Sequence, residues 1–568
     1  MINLIKNKNH NYALNEVVPF ADFKEMLEQA SELGGDKSGF KYKVGNEAKE
    51  ATYRDFTKET KNLGTALASL GVAKSHIAIV SGNSYDYLTV FLSVLNSEGV
   101  FVPVDKEIPF DEILHIINHS DSEVVFYSSA YKDNMLARRS EMPQVKYLIS
   151  FDQKEDNGEY LSYQNLLEKG KTLLDGGDRS YIDIKPEQDK MKMIVYTSGT
   201  TGTAKGVMLS LHNLVSCVYY GLQISTVYDT CLSVLPYHHT YESVCGLLVS
   251  MHMGSTICIN ESLRTVATNL KLYSPSYIML VPLFLESFYK KIWGEVESKG
   301  KTKALKLLIK TSNSLLKVGI DMRKVLFQSI HEVFGGRMRK IVCGGAPVRA
   351  ELGEFFESIG ITVINGYGIT ECSPLVAVNR DYFYDWKSVG VKLPCVEVKI
   401  DNPNSDGEGE ICVKGDTVML GYYKKPEITA EVLTADGWFH TGDYGKIDEV
   451  DRLYITGRKK NLIVLKNGKN VYPEEIEDYI SANPLVSEVV VSAVQNTEGE
   501  ETALSAEIYP NQELIEGLTE DEILNKVREE VVALSANLPK YKRVLKVVIR
   551  KDPFIKTTTG KVKRNYNK

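Results

Sequence analysis

The chain has 568 residues, 43% of them apolar and 25% charged, with a formal net charge of −7. That length exceeds what one hydrophobic core supports and predicts roughly two to four structural units. No apolar run approaches the roughly 20 residues that span a bilayer. The N-terminus, Met1-Ile-Asn-Leu-Ile-Lys, lacks a secretory apolar core, and the acidic balance speaks against nucleic acid as a partner.

The first two-thirds of the chain alternates β-branched runs with helical patterns. Strands are expected at residues 76–80, 100–104, 123–127, 191–196, 277–281, 340–343 and 362–364, with helices at 53–70 and 110–119. The apolar stretch 87–104 is broken by Asn96-Ser-Glu-Gly99 and reads as a buried helix followed by a strand. This alternation predicts an α/β fold, a large N-terminal domain of doubly wound βα sheets, with ligands beyond the carboxyl ends of the strands.

One such end carries Tyr196-Thr-Ser-Gly-Thr-Thr-Gly-Thr-Ala-Lys-Gly206. Its glycines let backbone N–H groups approach a ligand closely. Together with the hydroxyls and Lys205 they suit a polyphosphate. The loop is not a P-loop of the G-x-x-x-x-G-K-[ST] type: Lys205 follows Ala204, and Gly206 stands where a magnesium-binding hydroxyl would be. Residues 290–334 form a lysine-rich helical pattern expected to pack on the sheet domain.

Eight cysteines, none in a C-x-x-C pair, predict small buried thiols in a reducing, cytoplasmic setting. After Asp448-Glu-Val-Asp451 the chain becomes short, mixed α+β and basic, so domains are expected at 1–449 and 450–568. Strands are expected at 488–494 and 503–509, and Thr519-Glu-Asp-Glu522 is a capping box opening a helix. From residue 539 onward eleven Lys/Arg face one acid, Asp552.

Further motifs follow in order: Leu235-Pro-Tyr-His-His-Thr-Tyr-Glu242, Gly344-Gly-Ala-Pro347, Asn365-Gly-Tyr-Gly-Ile-Thr-Glu371, Gly437-Trp-Phe-His-Thr-Gly-Asp443, Gly457-Arg-Lys-Lys460, Gly468-Lys-Asn-Val-Tyr-Pro-Glu-Glu-Ile-Glu477 and Lys556-Thr-Thr-Thr-Gly-Lys561. In this order, from about residue 50 to the end, the sequence resembles the adenylate-forming (AMP-binding) superfamily. Within it the chain looks most like long-chain fatty acid–CoA ligases. The resemblance implies ATP-dependent conversion of a carboxylic acid to acyl-AMP with pyrophosphate release, then transfer to the thiol of coenzyme A. A carrier-protein phosphopantetheine is the alternative acceptor, and an aromatic or other acid the alternative substrate.

The same resemblance implies roles. Thr197, Ser198, Gly199, Thr200, Thr201, Gly202 and Lys205 would hold the β- and γ-phosphates. Tyr367 would stack on adenine, flanked by Gly345, Ala346, Asn365 and Gly366, and Thr370 would donate to the α-phosphate. Glu371, with Thr197, would bind Mg2+. Asp443 would accept the ribose hydroxyls and Arg458 brace them. Lys561 would reach the α-phosphate, His239 would sit near the acyl carboxylate, and Gly468 and Lys469 near the pantetheine. His238 is expected to be structural, and no G-x-S-x-G elbow supports a triad reading of His239. A small mobile α+β C-terminal domain is expected to swing about the linker at 448–451. Transient contact with a membrane surface fits a lipid substrate. The sequence departs from the family pattern at His212, Cys343, Lys392 and Cys395, none among the expected chemical groups.

Overall fold

The structure, a computed structural model, describes residues 12–45, 47–197, 204–465, 470–495, 501–535, 538–556, 562 and 564. The chain divides into two compact units. The first comprises Met1–Val398, Val413–Phe439 and Val450–Arg452, and the second Lys399–Cys412, His440–Glu449 and Leu453–Lys568.

The first unit holds two large sheets. One has eight strands, in the hydrogen-bonded order Gly421–Tyr422, Lys205–Ser210, Met191–Thr197, Val100–Pro103, His76–Val80, Ser122–Tyr127, Tyr147–Ser150 and Tyr160–Ser162. Its centre is parallel. Both faces are covered: Ala78, Val80, Val102 and Val125 share one buried cluster, and Ile77 and Ile79 on the opposite face are buried as well. The other sheet has nine strands, parallel from Thr362–Gly368 through Lys340–Cys343, Tyr277–Leu280 and Thr230–Ser233 to Thr256–Ile259 and Ser38–Val44.

Local chemistry explains the element ends. The helix Tyr53–Ser69 opens on a reciprocal Thr52–Asp55 capping box and stops before Gly71, whose φ is +75°. Tyr85–Leu95 followed by Val100–Pro103 realises the expected buried helix and strand. The lysine-rich segment folds as helices Pro282–Ser298, Thr302–Lys317, Arg323–Leu326 and Gln328–Val333. The edge hairpin Ser38–Val44 with Glu47–Thr52 has no counterpart in the sequence reading, because its largely exposed second strand alternates Lys, Glu and Ala rather than β-branched residues.

The second unit packs helices Pro473–Ser481 and Glu520–Ser535 on the strands Val486–Gln495, Glu501–Pro510 and Val544–Ile549, around Ile476, Ile480, Leu504, Ile508 and Val527. Thr519 and Glu522 form the expected capping box. This unit also holds most of a four-stranded sheet of Val396–Asp401, Gly409–Gly415, Phe439–Ile447 and Leu453–Arg458. Phe439–Ile447 pairs antiparallel with Leu453–Arg458. That pairing runs across position 449/450. No helix among the described residues is long and apolar enough to cross a membrane.

Candidate active site

In the first unit the phosphate-loop segment begins and ends in a hairpin that pairs Tyr196 with Gly206 and Thr197 with Lys205. Ser198, Gly199, Thr200, Thr201 and Gly202 lie outside the described residues. At Gly206 a β-carbon would stand 2.8 Å from the Ile194 side chain, so the close strand approach requires glycine. The Lys205 ammonium lies 5.0 Å from the centre of the Tyr422 ring. The Tyr422 hydroxyl in turn donates to a Glu371 carboxylate oxygen at 2.9 Å. Burial, with Glu371 beside it, pushes the Tyr422 hydroxyl far up, so it remains a donor. Tyr422 thus places the Lys205 ammonium and the Glu371 carboxylate in one cluster. Gly421 and Tyr422 reach it because Leu420 donates its N–H to Met208 O and Tyr423 donates to Gly206 O. The sequence signal for Tyr422 was only a Gly-Tyr pair with no chemistry of its own.

Thr370 and Glu371 form a short helical turn directly after the strand Thr362–Gly368. Met419 N donates to Glu371 O at 2.8 Å, fixing that turn against the following segment. Tyr367 is buried in the strand opposite Ala377. At Gly368 a β-carbon would meet Pro374 O at 2.4 Å. The Asn365 carboxamide points into the protein: it donates to Ser388 O at 2.7 Å and accepts from Asn379 at 2.7 Å. It therefore secures the strand end that delivers Gly366 and Tyr367. Gly345 (φ +84°) and Ala346 are exposed beyond the strand Lys340–Cys343.

The Leu235–Glu242 motif is held from three sides. Asn83 donates to Leu235 O at 2.8 Å and accepts from Tyr237 N at 3.1 Å. His238 Nε2 lies 3.6 Å from the Asp105 carboxylate, and burial lowers its pKa against the pull of that carboxylate. The ring of His239 stands 4.2 Å from that of His238. Next to it Tyr241–Leu248 winds as a π-helix, a rare form that often marks functional sites. Glu242 is fully buried and accepts from Ser233, and desolvation pushes its carboxyl to about 8, so it is neutral at pH 7. Tyr241 donates to Val342 O at 3.0 Å and packs on Gly344, joining this motif to the Gly345 loop.

In the second unit Asp443 and Arg458 face each other in register, with Arg458 Nε 2.7 Å from Asp443 Oδ1. Asp443 is buried and its N–H donates to Thr441 Oγ1 at 3.0 Å. Beneath them lies Glu410, which neither motif contains. One of its oxygens accepts from Gly442 N at 3.2 Å, where φ is +70°. The other accepts from Lys459 Nζ at 2.7 Å and lies 3.4 Å from His440 Nδ1. Burial alone would raise the Glu410 pKa, but Lys459 and His440 hold it below the usual carboxylate range. Asp401, Glu410 and His440 present ligand atoms within 4.8 Å of one another. The Lys459 ammonium already pairs with Glu410, and through Gly442 N the group ties to the turn just before Asp443.

Gly468, Lys469 and Lys561 lie outside the described residues. The flanks of Lys561 are placed: Lys556 pairs with Val562 and Glu488, and Arg564 with Glu477 at 2.5 Å. Burial pushes Glu477 up to about 7 despite Arg564.

A family model described as AMP-binding enzyme matches residues 27–423, and one described as AMP-binding enzyme C-terminal domain matches residues 460–567. Long-chain-fatty-acid–CoA ligase 5 of Mus musculus is 30% identical over 470 residues, 78% of this chain and 68% of the relative. Long-chain-fatty-acid–CoA ligase 6 of Rattus norvegicus is 30% identical over 473 residues, 76% of this chain and 66% of the relative. The chain thus spans about two thirds of the length of these relatives. The fold matches ATP-bound MatB from Rhodopseudomonas palustris with a TM-score of 0.72 at 24% identity, over 95% and 98% of the two chains. It also matches the A-PCP didomain of carboxylic acid reductase from Segniliparus rugosus, in complex with AMP, with a TM-score of 0.79 at 20% identity, over 96% and 80%.

Proposed function

The chain belongs to the AMP-binding enzymes, and on that premise we propose that it is an AMP-forming acid–thiol ligase acting on a long-chain fatty acid, ATP and coenzyme A. The observation that carries this reading is the Lys205–Tyr422–Glu371 cluster at the end of the phosphate hairpin. It sets a cation and a carboxylate, 166 positions apart in sequence, at the carboxyl ends of the strands, where α/β sheets bind ligands.

A free carboxylate is a poor acyl donor because its leaving group would be oxide. In the first step one carboxylate oxygen forms a bond to the α-phosphorus of ATP while the bond to pyrophosphate breaks. In the second the thiol attacks the acyl carbon and AMP departs, leaving a thioester. Residues 197–206 hold the β- and γ-phosphates, with Lys205 balancing their charge. Tyr367, on the strand end secured by Asn365, stacks on adenine beside Gly345, Ala346 and Gly366. Thr370 donates to the α-phosphate.

Asp443 and Arg458 take the ribose, and Lys561 faces the charge that develops at the α-phosphate. His239 borders the acyl carboxylate. Glu371 and the Thr197 hydroxyl suit Mg2+, a hard cation that takes oxygen ligands: Tyr422 engages one Glu371 oxygen through a neutral hydroxyl and supplies no competing cation. When bound there the ion would neutralise phosphate charge. Residues 1–449 bind the substrates, and 450–568, swinging about 448–451, bring first Lys561 and then Gly468 and Lys469 to the reaction. The setting proposed is cytoplasmic.

Pyrophosphate release measured over fatty, aromatic and amino acids, with coenzyme A or a carrier protein as acceptor, tests this. Release that depends on a long-chain fatty acid, followed by an acyl-coenzyme A thioester, is the expected result. Absence of acid-dependent release across the panel would overturn it.

A further inference from the structure

The helical insertion between the strands Tyr277–Leu280 and Lys340–Cys343 is strongly basic although the chain as a whole is acidic. Between residues 299 and 325 eight Lys/Arg face one acid, Asp321. Helix Thr302–Lys317 turns Leu305, Ser312 and Leu316 inward, packing on Pro282–Ser298 and Ala350–Ser358. Its outward face presents Lys303, Lys310 and Lys317, at spacings close to whole helical turns. The ion pairs of this stretch among the described residues are Lys299–Glu295 and those of Arg323 with Asp321 and Glu357. The three outward lysines make none.

The helix then runs into an aliphatic tip. Val318 is 72% exposed, Ile320 50%, and Val325, on the next short helix, 65%. Unbalanced positive charge alone suits any polyanion. Large aliphatic side chains held out in water beside it suit a partner with anions at its surface and hydrocarbon beneath. A nucleic acid supplies phosphate, but its bases stack on aromatic side chains, and the tip is aliphatic. Basic residues flanking an apolar edge are the pattern of interfacial membrane binding.

We propose that the outer face of this insertion is a docking surface for an anionic phospholipid bilayer. It rests on the surface of the insertion and goes beyond the ligase reading, to which it adds the phase from which an apolar acid would be drawn. Lys303, Lys310 and Lys317 meet the headgroups while Val318, Ile320 and Val325 enter the acyl boundary. Each lysine near such a surface multiplies partitioning about fivefold, and the attraction weakens as salt rises.

The test is co-sedimentation of the full chain with vesicles of phosphatidylcholine alone or mixed with phosphatidylglycerol. Binding to the mixed vesicles, lost as salt is raised, is expected. Lys303→Glu/Lys310→Glu/Lys317→Glu should lower that binding roughly a hundredfold or more. Val318→Ser/Ile320→Ser/Val325→Ser should weaken it while leaving its salt dependence in place. Because these positions are exposed, both variants should keep the parent circular dichroism and pyrophosphate release with a fatty acid presented in solution. Equal binding to both vesicle types, unchanged binding by the lysine variant, or preference for RNA over the mixed vesicles overturns the proposal. Acid-dependent pyrophosphate release on the same samples separates the two readings: intact release without vesicle binding removes only the docking surface, and vesicle binding without release removes only the ligase.

Discussion

Tyr422→Phe isolates one hydroxyl. The ring that faces Lys205 at 5.0 Å is retained, and only the 2.9 Å hydrogen bond to Glu371 is lost. A hydrogen bond to a charged group contributes about 1.5–3 kcal/mol. Tyr422 is buried but Glu371 is partly exposed, so water can replace the donor and the lower end applies. With about 1.4 kcal/mol per tenfold in rate, kcat/KM for acid-dependent pyrophosphate release should fall about tenfold. Thioester formation from supplied acyl-AMP should change much less, because that step no longer handles the pyrophosphate end of ATP. Tyr422→Leu, which also removes the aromatic face, should cost more in the first step. A Tyr422→Phe enzyme with parental release, or one equally impaired in both half-reactions, would refute the claim that Tyr422 organises Glu371 for adenylation.

Glu410→Gln removes the charge that Lys459 and His440 share and should raise KM for ATP several-fold by loosening the Gly442 turn before Asp443, with kcat less affected; an unchanged KM would show that the Asp443–Arg458 pair needs no such support. Glu242 supplies a pH signature. Its carboxyl is raised from 4.5 to about 8 on folding, so the folded chain holds a proton that the unfolded chain releases, and stability falls as pH rises from about 4.5 toward about 8. Glu242→Gln should flatten that part of the melting-temperature profile, and an identical slope in the variant would contradict the assignment. Lys561→Ala should abolish acyl-AMP formation while sparing thioester formation from supplied acyl-AMP, read by quenched-flow analysis of each half-reaction. Replacing Gly468 by a bulky residue should do the reverse and let acyl-AMP accumulate.

Much of this molecule is written locally. β-branched runs placed the strands His76–Val80 and Lys340–Cys343, which are buried almost throughout, and helical patterns placed the helices around residues 53–70 and 110–119. Capping chemistry located the start of Glu520–Ser535, since Thr519 and Glu522 satisfy donors within one turn. Thr370 and Glu371 lie in the turn after a strand and Arg458 at a strand end, whereas Asp443 lies in the middle of Phe439–Ile447. What no local pattern carries is which distant side chains meet. Tyr422 joins Lys205 to Glu371 only because its short strand pairs with Lys205–Ser210 in one register. Glu410 supports Gly442 and Lys459 only because Gly409–Gly415, Phe439–Ile447 and Leu453–Arg458 lie in one sheet. The same sheet groups 399–412 and 440–449 with the C-terminal unit. The sequence by itself determined the central strands and helices of the sheets and their order, and it nominated the candidate reactive groups. Tertiary structure decided which side chains hold those groups in place, because hydrogen-bond register between strands far apart in sequence is chosen by the packing of the whole sheet rather than by any window of residues.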